Sequence, residues 1–218
     1  MSIAVPDRRC PAWWEQPARR VLDFVLAVAG LLLLALPMLV VAAAIRLGSP
    51  GPALFRQHRV GLGGRSFVMY KFRTMRIGSD DGALRDLIAR ELRGEDTSVA
   101  GSWKIDSDPR LTRIGAWLRR TSVDELPQLI NVMLGQMALV GPRPCLGWEA
   151  EMFPPEFAAR FAVRPGLTGL WQVAGRSTMG TLEMLELDVA YVRGWGFWRD
   201  LKILLLTVPT LLRDHGAR

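Results

Sequence analysis

The adjacent carboxylates Asp124 and Glu125 are the residues of this sequence best suited to chemistry. They follow Arg119 and Arg120 and lie in the run 121–128 (TSVDELPQ), where a helix is expected to begin. Backbone N–H groups and the positive end of the helix dipole attract anions, including phosphates, to such a position. The pattern is therefore typical of a site where carboxylates act on a phosphorylated substrate.

The same run has a purely structural interpretation, in which the carboxylates only cap a helix. Ser122 and Glu125 have the spacing of a capping box, but Pro127 would then lose a hydrogen bond to Val123. If Asp124 is the cap instead, Pro127 falls among the N–H positions that have no helical partner. The sequence leaves both alternatives open.

Composition narrows the chemistry and the partners. The 218 residues leave room for a membrane segment and one domain of ordinary size. A net charge of +7 and a pI near 10.4 suit nucleic acid, anionic lipid or a phosphorylated substrate. His58 and His215 are the only histidines, so a histidine-based triad is not expected. Cys10 and Cys145 have no metal-binding spacing, which fits a reduced cytoplasmic location.

The segment 24–45 (FVLAVAGLLLLALPMLVVAAAI) carries no charge and is long enough to cross a bilayer. Arginines flank both of its ends, and positive charge marks the cytoplasmic side. Pro37 interrupts the helical hydrogen bonding, so we expect a re-entrant helix that bends there and returns. A straight single-pass helix is the alternative. The residues after the segment do not resemble a signal-peptide cleavage site. The flanking arginines are Arg8, Arg9, Arg19, Arg20, Arg46, Arg56, Arg59 and Arg65.

The rest of the chain predicts an α+β fold that is mainly α. Extended segments at 54–60 and 66–73 flank a glycine-rich loop and indicate a small β-hairpin. Helical patterns cover 83–93, 123–134, 181–193 and 197–213. We expect two parts: residues 1–47 as an interfacial segment with the re-entrant helix, and residues 48–218 as a compact catalytic domain on the cytoplasmic face.

A further helix is expected to start at Asp108-Pro109, which offers a capping oxygen and a proline at the first helical position. Its apolar side carries a tryptophan, Trp117, and its rim is cationic. This pattern fits an amphipathic helix lying on an anionic membrane, and equally a core helix with a solvated basic face. Tryptophans next to the apolar segments suit interfacial anchoring or core packing; these are Trp13, Trp14, Trp195 and Trp198.

Four ordered segments together resemble the bacterial sugar transferases, the monotopic phosphoglycosyl transferases that start glycan assembly on polyprenol phosphate. The similarity extends from about Arg19 to the end of the chain, and we expect the minimal form of the family, without its additional membrane bundle. The four segments are 49–75 (SPGPALFRQHRVGLGGRSFVMYKFRTM), 108–135 (DPRLTRIGAWLRRTSVDELPQLINVMLG), 139–144 (LVGPRP) and 164–176 (RPGLTGLWQVAGR).

The resemblance implies transfer of a sugar-1-phosphate from a UDP-sugar to undecaprenyl phosphate, with magnesium, at the cytoplasmic face of the bacterial inner membrane. This reaction would be the first membrane step of exopolysaccharide, O-antigen or glycoconjugate assembly. The family's catalytic dyad matches Asp124, as the nucleophile that expels UMP, and Glu125, as base or metal partner. Both carboxylates are then candidate magnesium ligands.

Cations near such a site would offset the repulsion between two phosphates and a carboxylate. By motif position the candidates for substrate or phosphate binding are Lys71, Arg73, Arg119, Arg143, Arg164, Arg176 and, as an acidic position that would help at the site, Asp188. The chain departs from the family in two places. Leu36 precedes Pro37 where a serine is usual, and Gln136 replaces an aspartate that we interpret as structural.

Two other functions are kept as alternatives. One is a basic membrane-associated protein that binds anionic lipid or nucleic acid without catalysis; it accounts for charge and anchor but not for the four motifs. The other is a non-catalytic relative acting as a scaffold, against which the intact Asp124-Glu125 pair argues. The enzyme interpretation is favoured. It implies membrane lipids but no nucleic acid as partners, is compatible with a homodimer, and leaves the sugar undefined.

Overall fold

The computed structural model describes residues 17–76, 82–97, 110–175, 179–194 and 196–213. Within these residues the fold is mainly helical, as predicted, with the predicted hairpin and a second small sheet that was not predicted. The α-helices are α1 (Pro17–Gly48), α2 (Gly82–Leu92), α3 (Arg113–Thr121), α4 (Gln128–Met133), α5 (Gly147–Met152), α6 (Leu170–Ala174), α7 (Thr181–Arg193) and α8 (Phe197–Arg213). The strands are β1 (Leu54–Val60), β2 (Ser66–Phe72), β3 (Ala138–Val140) and β4 (Gly166–Thr168).

The predicted hairpin is confirmed. β1 and β2 pair antiparallel from Leu54 opposite Phe72 to Val60 opposite Ser66. Gly63 and Gly64 have φ angles of 64° and 72° in the connecting turn, a conformation that glycine adopts without steric cost. The hairpin places Lys71 next to the last residue of β2.

α1 contains the apolar segment and, among the described residues, is the one helix long and apolar enough to cross a membrane by length and composition. Helical conformation continues through Pro37, so the proline does not divide α1 into two helices. One side is strongly exposed, with Leu32, Leu33 and Leu36 each at least 71% accessible. The other side packs on the rest of the protein.

Both ends of α1 are attached to the same domain. Near the first turn, Arg19 donates to the carbonyl of Val140 at 2.7 Å and pairs with Asp200 at 3.0 Å. Near the last turn, Ile45 is buried in a cluster with Phe72 and Leu118. Arg19 and Arg20, which were predicted as charges flanking the membrane segment, therefore attach α1 to the domain. Arg20 donates to the carbonyls of Val132 and Met133, both at 2.6 Å.

A second sheet lies at the centre of the domain. β3 and β4 are parallel, with Ala138 opposite Gly166 and Val140 opposite Thr168. Val140 is buried with residues of α7 and α8, and the chain leaves β3 directly into the segment 141–144 (GPRP). The position of the sheet therefore determines where the backbone of Arg143 lies.

α3 differs from its predicted start. It begins at Arg113, and the hydroxyl of Thr112 accepts from the N–H of Gly115 at 2.9 Å. The predicted start at Asp108-Pro109 lies outside the described residues. A Cβ on Gly115 would lie 1.9 Å from the carbonyl oxygen of Thr74, so only glycine allows α3 to approach the chain after β2 this closely.

Neither predicted cap for the catalytic run is present. Residues Val123–Glu125 form a 3₁₀ turn, and α4 begins only at Gln128, after Pro127. Ser122 adopts the left-handed conformation with φ of 56° and makes no side-chain cap. The expected helix over 123–134 is therefore a 3₁₀ turn followed by a shorter α-helix.

Candidate active site

Lys71, Glu125 and Arg143 converge from three different elements. The ammonium of Lys71 on β2 lies 2.8 Å from Oε1 of Glu125, which belongs to the 3₁₀ turn. Nη1 of Arg143, which follows β3, lies 3.5 Å from the same oxygen. The structure thus brings together two of the cations predicted from the sequence and one member of the carboxylate pair.

Asp124 lies beside this group and is 7% exposed. Burial raises the pKa of its carboxyl above the ordinary value, and the neighbouring Glu125 acts in the same direction, whereas Lys71, Arg119 and Arg143 oppose the shift. Arg119, predicted as a phosphate ligand, therefore acts on Asp124 electrostatically, from the last turn of α3. A buried carboxylate surrounded by three cations is suited to react with an anionic group.

Burial has the opposite effect on the ammonium of Lys71. It lowers the pKa of Lys71, and the charge of Glu125 opposes the shift. Desolvation thus makes the charged forms of both Asp124 and Lys71 less favourable than in water. Their charges will interact strongly with a ligand that enters this poorly solvated site.

A cleft opens at this group. Besides the three residues described first, its walls include neutral polar side chains and a further arginine. The lining residues are Arg59, Met69, Lys71, Glu125, Gln128, Arg143, Pro144, Gly166, Leu167 and Gln172. Sequence reasoning missed Arg59, Gln128 and Gln172; the first lies on the hairpin and the others in motifs 108–135 and 164–176, but no charge pattern distinguishes them.

The segment that carries Arg143 is held by its carbonyl groups. Pro142 and Pro144 have no N–H to donate, so the backbone here depends on its acceptors. Four successive carbonyls accept hydrogen bonds from three parts of the chain, namely β4, the segment Pro155–Ala162 and β1. The carbonyl of Pro142 accepts from Gly166 N (2.8 Å), that of Arg143 from Arg160 Nη2 (2.8 Å), that of Pro144 from Arg59 Nη1 (3.3 Å) and that of Cys145 from Val60 N (2.8 Å).

Arg73 and Arg164, both predicted to bind phosphate, have structural contacts instead of contacts with Glu125. Arg73 is 6% exposed and donates to the carbonyls of Pro50 and Ser49 at 2.6 and 2.9 Å. Arg164 donates to the carbonyl of Gly135 at 3.0 Å and lines a second cleft, with Arg19, Arg20, Asp23 and Ala138. A role in substrate binding for these two arginines gains no support from their positions.

Asp188 and Arg176 complete the predicted set. Asp188 on α7 does not line the cleft; it is 1% exposed and pairs with Arg160 at 2.7 Å. Burial raises the pKa of Asp188 to about 6, against the effect of Arg160. Arg176 lies outside the described residues. Arg160 itself was not singled out from the sequence, because a lone arginine in a hydrophobic run carries no motif.

Gln136 has the structural role expected at its position. Its amide oxygen accepts from Nδ2 of Asn131 at 2.6 Å. Asn131 is fully buried and also bonds Val68 O and Tyr70 N of β2, at 2.6 and 3.0 Å. A carboxylate oxygen could accept the same bond, so the glutamine preserves the link between α4 and the hairpin.

The carboxylates of the site are the groups that could hold the magnesium ion implied by the family resemblance. In the part of the chain that the structure describes, no group of three or more Asp, Glu, His or Cys side chains converges. Asp124 and Glu125 supply two carboxylates, and magnesium is commonly held by one or two carboxylates, with substrate phosphates and water completing the shell. The residues therefore fit a magnesium ion that arrives with a diphosphate.

Comparison with known proteins identifies the group to which this arrangement belongs. The profile of the bacterial sugar transferases matches residues 14–214. The chain belongs to the bacterial sugar transferase family. This match covers all four motifs and all of the residues that line the cleft.

Curated members of the bacterial sugar transferase family are similar over most of this chain. A UDP-glucose:undecaprenyl-phosphate glucose-1-phosphate transferase of Caulobacter vibrioides is 47% identical over 208 residues, which are 91% of this chain and 71% of the relative. An undecaprenyl-phosphate galactose phosphotransferase of Salmonella typhimurium is 36% identical over 203 residues, 91% of this chain and 41% of the relative. A galactosyl transferase of Streptococcus agalactiae is 40% identical over 202 residues; the chain spans 43% of its length.

Proposed function

We propose that this protein transfers a sugar-1-phosphate from a UDP-sugar to undecaprenyl phosphate and releases UMP. The observation that carries the proposal is the convergence of Lys71 and Arg143 on Glu125, beside the buried Asp124, in a member of the bacterial sugar transferase family. Relatives with up to 47% identity bear names that state this reaction, for glucose in one and galactose in another.

The proposed reaction has two steps. A carboxylate oxygen of Asp124 attacks the phosphorus that bears the sugar, the bond to the bridging diphosphate oxygen breaks, and UMP leaves. An oxygen of the lipid phosphate then attacks the same phosphorus, forms the sugar diphospholipid and frees the Asp124 carboxylate. The covalent route divides a transfer between two anions into two displacements.

The cations of the cleft offset the charge that these steps bring together. Lys71 and Arg143 face Glu125, and their charges, with that of Arg119, lie close enough to influence Asp124. Such fixed charges stabilise developing negative charge more effectively in a poorly solvated site than in water. Asp124 and Glu125 would hold magnesium together with diphosphate oxygens, and the metal would supply charge neutralisation.

We propose further that α1 enters the membrane without crossing it, so that both ends stay at the cytoplasmic face. A straight helix of 32 residues would be about 48 Å long, and crossing needs only ~30 Å of it. A crossing helix would carry one end away from a domain that lies on one side. Contacts at Arg19 and at Ile45 hold both ends of the continuous helix to the same domain, which supports an arrangement in which α1 enters the membrane from one side and does not cross it.

The transfer reaction is tested by incubating the purified protein with undecaprenyl phosphate, magnesium and one UDP-sugar at a time, and measuring UMP. We expect UMP release with at least one of UDP-glucose and UDP-galactose, and loss of release on Asp124→Asn. Binding of anionic vesicles without UMP release from any UDP-sugar would favour the alternative of a non-catalytic lipid-binding protein.

A further inference from the structure

The buried ion pair between Arg160 and Asp188 is linked to the cleft through one backbone atom. Nη2 of Arg160 donates to Asp188 Oδ2 at 2.7 Å and to the carbonyl oxygen of Arg143 at 2.8 Å. Both paired side chains are 1% exposed. Neither residue lines the cleft, but Arg160 contacts the backbone of Arg143, which does.

Stability alone does not explain this pair. Removing two charges from water costs free energy that their attraction often fails to recover, and apolar residues can replace buried pairs without loss of stability. The guanidinium of Arg160 lies between aromatic rings, at 4.9 Å from that of Phe153 and 5.4 Å from that of Phe161. An apolar side chain would suit these surroundings, but it could not donate to Asp188 and to the Arg143 carbonyl as Nη2 does.

The carbonyl that Arg160 binds belongs to a residue whose side chain must reach Glu125. Arg143 lies between two prolines, which restrict its backbone and provide no N–H for anchoring. Its guanidinium reaches within 3.5 Å of Glu125, a contact at the limit of close pairing. A small shift of the backbone would therefore move this charge out of reach of the reacting phosphate.

We propose that Arg160 and Asp188 form a positioning unit that holds the backbone of Arg143 and thereby sets the place of its guanidinium in the cleft. Asp188 orients Arg160, and Arg160 fixes the carbonyl of Arg143. This inference rests on the proposed function, since it assumes that Arg143 acts on the transferred phosphate. It replaces a direct role for Asp188 in binding substrate.

A double-mutant cycle tests the proposal. The variants are Arg160→Met with Asp188→Leu, Arg143→Ala, and all three changes together, each assayed for UMP release and for thermal unfolding. We expect Arg160→Met/Asp188→Leu to remain folded and to lose about tenfold in kcat, with little change in KM for the UDP-sugar. Arg143→Ala should lose more, and the triple variant should be no slower than Arg143→Ala. A merely structural pair would give multiplied losses instead.

Two further variants sharpen the outcome. Arg160→Lys keeps a positive charge opposite Asp188 but loses the Nε contact with Asp188 at 3.2 Å and the rigid plane that aims Nη2 at the Arg143 carbonyl. Its loss in kcat should also vanish in the Arg143→Ala background, and this variant carries the test if the apolar pair does not fold. Arg90→Met with Glu95→Leu removes a surface pair at 2.7 Å and should leave kcat unchanged.

The outcomes separate this inference from the function on which it rests. Multiplied losses in an active enzyme, or full activity of Arg160→Met/Asp188→Leu, would overturn the positioning unit alone. A wild-type protein that releases no UMP from any UDP-sugar would overturn the proposed function and this inference together.

Discussion

The ammonium of Lys71 lies 2.8 Å from a carboxylate oxygen of Glu125, so that the last part of the hairpin faces the turn that follows α3. The contact joins two segments 54 residues apart in the chain and brings a cation next to the buried Asp124. As a consequence, the charges of Lys71 and Glu125 balance each other before a diphosphate binds. Each of these two residues can be tested separately by substitution.

The first prediction concerns Asp124→Asn, which should abolish turnover and covalent labelling. Protein incubated with labelled UDP-sugar alone should retain a phosphosugar in the wild type and none in the variant, because the amide is not a nucleophile. Kinetics should be ping-pong. Sequential kinetics without an adduct, or an active Asp124→Asn enzyme, would contradict the covalent route and favour direct attack by the lipid phosphate.

Stability should respond in the opposite sense to activity in that variant. Burial raises the pKa of Asp124, so the stability that this group contributes is present below its ordinary pKa of 3.8 and is lost as pH rises through the folded-state pKa. At neutral pH the carboxylate therefore destabilises the fold. Chemical denaturation of Asp124→Asn at pH 7 should give an unfolding free energy no lower than that of the wild type.

The plot of kcat against pH should be bell-shaped, and narrower than the ordinary pKa values of an aspartate and a lysine would give. Asp124 must be ionised to attack, and its raised pKa places the acid limb above pH 3.8. Lys71 must be protonated to offset phosphate charge, and its lowered pKa places the basic limb below pH 10.5. Asp188, with a pKa of about 6, titrates in the acid range too. An acid limb that persists in Arg160→Met/Asp188→Leu would assign it to Asp124.

Loss of either cation at Glu125 should slow the reaction strongly. Lys71→Ala and Arg143→Ala each remove a charge that faces the transferred phosphate, which should cost ~2–4 kcal/mol in the transition state, or roughly two to three powers of ten in kcat. Arg120→Ala, an exposed arginine next to Arg119, is the matched control and should retain wild-type rates. Equal rates for all three variants would remove Lys71 and Arg143 from the site.

Arg73→Ala should reduce stability more than catalysis. The side chain is buried and donates to the carbonyls of Ser49 and Pro50, at the end of α1. Leaving these acceptors unsatisfied should cost roughly 2–3 kcal/mol of unfolding free energy. Denaturation measured beside kcat for the surviving folded protein would distinguish this role from phosphate binding, which predicts normal stability and a slow enzyme.

The topology of α1 can be tested by labelling in intact cells. Native Cys10 reports on the N-terminal side, and Arg120→Cys reports on the domain in a chain whose Cys10 is replaced by serine. Both should resist a membrane-impermeant maleimide until the cells are permeabilised. Labelling of Cys10 from outside, with position 120 protected, would establish a crossing helix and end the re-entrant proposal.

Local patterns in the sequence were sufficient for the elements that depend on neighbouring residues. Alternating extended residues around a glycine loop defined the hairpin, and helical periodicity placed α7 and α8 at their observed bounds. The motifs shared with the bacterial sugar transferases likewise indicated Asp124, Glu125 and Arg143 as candidate site residues. Such signals are local, because they arise from backbone preferences and from chemistry carried by adjacent side chains.

Tertiary structure decided how the charged residues are used. Arg73, Arg143 and Arg164 are indistinguishable as arginines in the four motifs, yet Arg143 pairs with Glu125, whereas Arg73 and Arg164 donate to backbone carbonyls. The role of each arginine depends on the groups that it contacts, and those groups come from distant parts of the chain. The turn that carries Asp124 and Glu125 was likewise not predicted: Ser122 adopts a left-handed conformation there, which a serine adopts only where the surrounding structure imposes it.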